Sequence, residues 1–169
     1  SYKWPIADPN NLFFSYWNQE VEGFYMKVEH AEGLGKIIAN SLERFNDSNE
    51  RQRISLMLYN QLNRHMVKML RILQSPSGHV VNIAMKGYGM KAVVNLVTFT
   101  AGHVLKEIDM YEGFTDEEWR SELRRCLMQL GNEDKPITLY VDEYKLIKDE
   151  WYADLECLLK NDISTEIVR

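Results

Sequence analysis

Three short apolar runs, HVVNIAM (79–85), HVLKEIDM (103–110) and KPITLYVDE (135–143), alternate with stretches of helical periodicity, and this alternation restricts the fold more than any other feature of the chain. Before the first run, Leu58, Leu62, Met66, Met69 and Leu73 recur at a spacing that puts them on one helix face, and Pro76 and Gly78 end the pattern. After it, Val93, Leu96, Val97 and Ala101 predict a helix that stops at Gly102. Thr115, with Glu118 three residues on, is a capping-box start for a helix buried through Trp119, Leu123, Leu127 and Leu130. Trp151, Leu155 and Leu158 mark a last helix. Returning from the end of one strand to the start of a parallel one takes a connection of helix length. The pattern therefore predicts β-α-β units in an α/β fold, a parallel sheet flanked by helices.

Upstream, Leu34, Ile38, Leu42 and Phe45 carry another helical face until NDSNE interrupts it, and Gly33 and Gly35 blur its start. The residues before them are rich in aromatics and turn formers and have no period, so Phe13, Phe14, Tyr16 and Trp17 are free to pack on something else. The expected division is an N-terminal arm or linker over 1–33 and an α/β domain over 34–169. A chain of 169 residues, 45% of them hydrophobic and 11% aromatic, can build one core. Its formal charge of −5, with Lys and Arg interspersed among acids over the chain as a whole, does not suit a nucleic-acid binder. No run approaches the roughly 20 apolar residues that cross a bilayer, and SYKWPIADPNN has no signal-peptide core. A soluble intracellular chain with neither membrane nor nucleic acid as partner is expected. Cys126 and Cys157 fall in helix-patterned stretches and read as reduced thiols, and His30, His65, His79 and His103 are too widely spaced for a short metal motif.

Two stretches carry the chemistry. AMKGYGMKA (84–92) lies between a strand-like and a helix-like segment, where a phosphate-cradling loop would sit. Such a loop surrounds phosphate oxygens with backbone N–H groups and the positive end of the next helix, while a lysine and a Ser or Thr hydroxyl serve the outer phosphates and magnesium. Against the spacing G-x-x-x-x-G-K-[ST], Gly89 fits the last glycine, but Ala84 stands at the first and Met90 at the lysine. Lys91 is one position late, a rotation of about 100° on a helix. Ala92 offers no hydroxyl, Lys86 adds charge inside the loop, and Tyr88 adds bulk. The plainer alternative is a glycine-bearing turn with no ligand. The second stretch is Asp142 and Glu143, directly after ITLYV. An acid at a strand end can hold magnesium through water and its neighbour can orient a hydrolytic water, a Walker B arrangement, whose plainer alternative is two solvated acids opening a loop. Ligands of open α/β sheets bind beyond the carboxyl ends of the strands, where both stretches fall.

Taken together, MLRILQSPSGHVVNIAMKGYGMKAVVNLVTFTAGH, FTDEEWRSELRRCLMQLG and KPITLYVDEYKLIKDEWYADLECLLKND resemble the fourth AAA+ module of the dynein heavy chain motor. His65, Met69, Ile72, Pro76 and Gly78, then Ala101 and Gly102, keep the order of that family's pattern, as do Lys135, Pro136, Ile147, Glu150, Trp151, Asp154, Leu155, Leu158 and Leu159. The resemblance is close from about Leu58 to Asp162. It implies a P-loop NTPase-like AAA+ core, incomplete here, because such a module would continue beyond Arg169 into a sensor strand, an arginine finger and a helical lid. In that fold a fourth strand lies between the first and the third. Position by position, the family's phosphate-loop lysine falls on Met90, its serine on Ala92 and its leading glycine on Ala84, while Gly87 and Gly89 are kept. Its Walker B acid falls on Glu143, with Asp142 one place earlier as a candidate magnesium ligand.

The resemblance thus implies a degenerate AAA+ segment of a microtubule-motor heavy chain, in the cytoplasm, on the cytoskeleton or in the axoneme, with a packing role and no ATP turnover of its own. Its partners would be neighbouring AAA+ modules and the rest of the heavy chain, and microtubules only through the whole motor. The alternative is a regulatory module that binds ATP or ADP with magnesium, with Lys86 or Lys91 replacing the lysine. A free-standing interaction domain that docks through its aromatic arm is a third reading.

Overall fold

Helix formation in the first half follows the spacing of residues that must leave water. The computed structural model describes residues 13–15, 26–28, 31–76, 78–85, 87, 89–132, 135–146 and 148–160. The chain divides into two units, Ser1–Ala101 and Gly102–Arg169. In the first, β1 (Phe13–Ser15) pairs antiparallel with β2 (Met26–Val28), Phe13 opposite Val28. The aromatic side chains proposed for the arm lie outside the described residues. Three helices follow, α1 (Ala31–Ser48), α2 (Asn60–Leu73) and α3 (Met90–Ala101). Leu34, Ile38 and Phe45 of α1, Met66, Val67, Met69 and Leu70 of α2, and Val93, Val94, Leu96 and Val97 of α3 are buried. Phe45 meets Phe99 edge to face at 5.3 Å, a geometry that sets a positive ring edge against a negative face. The Asn46 amide bonds both backbone groups of Ile54, at 3.0 and 2.8 Å, and so anchors the link between α1 and α2. At the end of α2 the chain turns so tightly that a Cβ on Gly78 would lie 1.7 Å from the carbonyl oxygen of Ile72.

One expectation fails. HVVNIAM forms no strand, and Val81, Ile83 and Met85 are 84%, 97% and 70% exposed. The cause is the absence of a neighbour: a strand exists only where another satisfies its N–H and C=O groups, and none does so for 79–85 among the described residues. The fourth strand that the resemblance places beside it is not among them either.

The second unit is a β-α-β unit with an added helix. β3 (Val104–Glu107) and β4 (Ile137–Tyr140) pair parallel, Val104 opposite Ile137 and Glu107 opposite Tyr140, joined by α4 (Asp116–Asn132). α5 (Asp149–Leu159) closes it. The capping box forms as the spacing requires: the Thr115 amide donates to Glu118 Oε2 at 2.8 Å, and the Glu118 amide to Thr115 Oγ1 at 3.2 Å. The Tyr111 hydroxyl also donates to Glu118. Ile108, Phe114, Trp119, Leu123 and Trp151 form the buried cluster. Within it the indoles of Trp119 and Trp151 stack at 5.3 Å and 18°, and Phe114 meets Trp151 edge on at 5.8 Å.

Each indole then bonds the opposite helix. Trp119 Nε1 of α4 donates to Asp154 Oδ2 of α5 at 3.2 Å, and Trp151 Nε1 of α5 donates to Asp116 Oδ1 of α4 at 2.9 Å. Asp and Trp stand three residues apart on both helices, so the two bonds are reciprocal. Arg120 Nε reaches Asp154 at 3.5 Å, and Lys148 Nζ reaches Asp116 at 2.5 Å while lying 5.3 Å over the Trp151 ring. Both cysteines are free, Cys126 buried and Cys157 half-buried. Among the described residues no helix is long and apolar enough to cross a membrane.

Asp154 is buried, so Asp154→Ala strands the Trp119 N–H and is expected to lower stability by about 1–3 kcal/mol in urea unfolding. Acid should act through Asp116 and Glu118, whose carboxyls are held below their ordinary pKa. Lys148 and then Trp151 do this for Asp116, and Tyr111 and then Thr115 for Glu118. The unfolded state therefore binds more protons. The stability they contribute is complete above roughly pH 4–4.5 and is lost as the pH falls through the depressed values. Urea midpoints measured from pH 6 downward should fall in that window, and less steeply for Asp116→Asn.

Candidate functional site

The glycine-bearing turn feeds straight into α3. Gly87 and Gly89 have φ of +94° and +72°, a region closed to most side chains, so the turn itself needs both glycines. Met90 is the first residue of α3, and the Val93 amide donates to the Gly89 carbonyl at 3.2 Å to close the first turn. The first amides of any helix lack intrahelical partners, and no acid stands in the first turn of α3, so its positive end is retained. Lys91 is exposed and Ala92 half-buried. Lys86 and Tyr88 lie outside the described residues.

The side chain at the lysine position points to a different environment. Met90 lines a cavity of about 330 Å³ with Tyr59, Gln61, Leu62, His65, Ile83, Ala84, Met85 and Val93. A thioether there brings apolar, polarisable surface and no charge. His65 lines the cavity too, and its Nε2 is buried without a hydrogen-bond partner among the described residues. In the sequence His65 stands out only as one of four widely spaced histidines and as part of the family's pattern, and Tyr59 and Gln61 do not stand out. Gln61 and His65, four residues apart on the polar margin of α2, were the available signal.

In the second unit, β4 runs out at Tyr140, and Val141 and Asp142 lead into a single 3₁₀ turn, Glu143–Lys145. Asp142 organises that turn. Its carbonyl accepts the Lys145 amide at 2.9 Å, and its Oδ1 accepts the Tyr144 amide at 3.4 Å, an Asx-type arrangement. One carboxylate oxygen therefore serves the backbone at long range. The backbone of Glu143 belongs to the turn, and its side chain lies outside the description. Lys145 Nζ donates to Glu107 Oε1 at 3.2 Å, which ties the turn to the last residue of β3. Glu107 read only as part of an alternating run in the sequence, yet it is the acid whose charge Lys145 compensates. At the other end of the strand pair, His103 Nδ1 lies 3.0 Å from Thr138 Oγ1, and burial holds the imidazole below its ordinary pKa. The loop positions belong to the first unit and the acids to the second.

A glycine turn at the head of a helix, followed by a parallel β-α-β unit whose last strand ends in acids, defines a partial AAA+ α/β fold. The family model described as "P-loop containing dynein motor region D4" matches residues 54–168, more than half of the chain, and the chain belongs to that family. It is similar to "Dynein axonemal heavy chain 3" of Mus musculus, 25% identical over 158 residues, with 91% of this chain and 4% of the relative covered. The Homo sapiens protein of the same name is 26% identical over 159 residues, with the same coverage. "Dynein heavy chain, cytoplasmic" of Drosophila melanogaster is 26% identical over 150 residues, covering 89% of this chain and 3% of the relative. The chain thus spans about 4% of the length of the heavy chains it matches.

Charge-assisted contacts to phosphate are worth about 1.5–3 kcal/mol each, so restoring one corresponds to tenfold or more in affinity. Met90→Lys with Ala92→Ser is expected to raise affinity for magnesium ATP at least tenfold in calorimetric titration of the complete module, and Ala92→Ser alone far less.

Proposed function

We propose that this chain is a degenerate AAA+ segment of a dynein-like heavy chain that keeps the fold for packing within the motor ring and turns over no ATP of its own. The observation that carries the reading is Met90: at the position of the phosphate-binding lysine it supplies an apolar wall of a cavity shared with Tyr59, Leu62 and Val93. Ala92, half-buried and without a hydroxyl, supports it. Residues 34–169 would be the N-terminal part of the AAA+ domain and 1–33 an arm leading into it. Neighbouring AAA+ modules are its partners, microtubules are reached only through the whole motor, and the names of the axonemal and cytoplasmic relatives support a place on the cytoskeleton or in the axoneme.

A second reading, a regulatory module that binds ATP or ADP, is favoured by one observation. The cavity beside Met90 is within the usual size range of small-ligand sites and has the polar side chains of Gln61 and His65 in its lining. On that reading the amides at Gly87 and Gly89 and the start of α3 would meet the phosphates, Lys86 or Lys91 would supply charge, and Asp142 with Glu143 would face magnesium, which would neutralise the phosphate charge.

Titration of magnesium ATP and ADP into the complete module separates the two. Heat-silent titrations at millimolar nucleotide, with no phosphate release above that of Glu143→Gln, are expected. Micromolar binding by the wild-type module would replace the packing role with the regulatory one.

A further inference from the structure

The chain-wide charge balance conceals a segregation. From Arg51 to Lys106 the sequence contains eight Lys and Arg and not one Asp or Glu, although acids outnumber bases over the whole chain, 25 to 20. From Glu107 to Glu118 the sign reverses, with six acids and no Lys or Arg. The Lys and Arg residues that seemed interspersed among acids are therefore sorted into blocks.

Folding concentrates the basic block. α2 contains Arg64, Lys68 and Arg71 and no acid. Spacings of four and three residues put them within about 60° of each other around the helix axis. Of the buried residues of α2, Met66, Met69 and Leu70 lie away from them, and Val67 and Asn63 bound the stripe on one flank. Lys68 and Arg71 are exposed and Arg64 half-buried, and Arg51, Arg53 and Lys91 in the same block are exposed as well. Surface helices ordinarily interleave opposite charges three and four residues apart, because like charges at that spacing repel. Here α2 tolerates the repulsion without internal relief, and no ion pair engages Lys68 or Arg71 among the described residues.

We propose that the Arg64–Lys68–Arg71 face of α2 is a docking surface for an acidic surface on an adjoining AAA+ module of the same heavy chain. This rests on the ring-packing role proposed above and names the face that performs it. Charge complementarity argues for a protein occupant of this kind. A module built like this one offers the opposite sign in Asp109, Glu112 and Glu117, exposed acids that no ion pair engages among the described residues, and about 96% of a heavy chain of the matched length lies outside this segment. A single-stranded nucleic acid is disfavoured, because the stripe carries no aromatic side chain for bases to stack on.

The test uses the intact heavy chain. Zero-length carbodiimide cross-linking joins Lys68 Nζ to a carboxylate only when the two are in contact, and peptide mass spectrometry identifies the pair. The expected result is a bond from Lys68 to an Asp or Glu outside this segment, with a yield several-fold lower at about 0.5 M than at about 0.05 M salt, where screening is weaker. K68E/R71E should expose the partner peptide to faster hydrogen exchange. Wild-type cross-linking keeps the test independent of whether that variant folds. Absence of any such bond, with Lys68 acetylated as fast as a lysine in a free peptide, would make the stripe a solvated face. A labelled single-stranded RNA that binds at physiological salt and is lost tenfold in K68E/R71E would hand the stripe to nucleic acid and equally overturn the proposal. ATP turnover by the module would refute the non-catalytic role and leave the cross-link standing.

Discussion

The second unit is organised around two tryptophans that must bury large apolar rings while keeping one N–H group each hydrogen-bonded. An indole left with an unpaired N–H in a core gives back much of what its burial contributes. Here the conflict is resolved across two helices. Trp119 and Trp151 stack on each other, and each donates to an aspartate one helical turn from the other's indole. α4 and α5 cannot slide past one another without breaking both bonds, so α5 is held in one register and the strand-to-helix turn at Asp142–Lys145 is set between fixed ends. Lys148 and Arg120 then compensate the two carboxylates that the indoles require.

In the first unit the constraint is different. Three helices share an apolar core, and the charged residues of α2 are all cations. The loop before α3 joins a glycine-bearing turn to an apolar helix start. Gly87 and Gly89 preserve the conformation, whereas Met90 belongs to an apolar wall.

The helices were legible because each buries residues at intervals that a single face requires. Leu34, Ile38 and Phe45, Met66 and Met69, and Trp119 and Leu123 all emerged buried where their spacing put them. The capping box at Thr115 was equally legible, being a local bond between residues three apart. HVVNIAM misled because apolarity states only that a segment would be buried given a neighbour, and pairing depends on a partner that local pattern does not contain. His65, Gln61 and Glu107 escaped notice for the same reason: their roles arise from Met90 and Lys145, which are distant in sequence.

The sequence by itself determined the helices, the family, and the division of charge into a basic block from Arg51 to Lys106 and an acidic one from Glu107 to Glu118. These depend on composition and on interactions within a turn or two of chain. Only the tertiary structure decided that β3 pairs with β4, that each tryptophan bonds the aspartate of the opposite helix, that Met90 lines a cavity, and that three cations share the outer face of α2. Such outcomes join residues tens of positions apart, and they are settled by which buried polar groups find partners and which surfaces are left facing water.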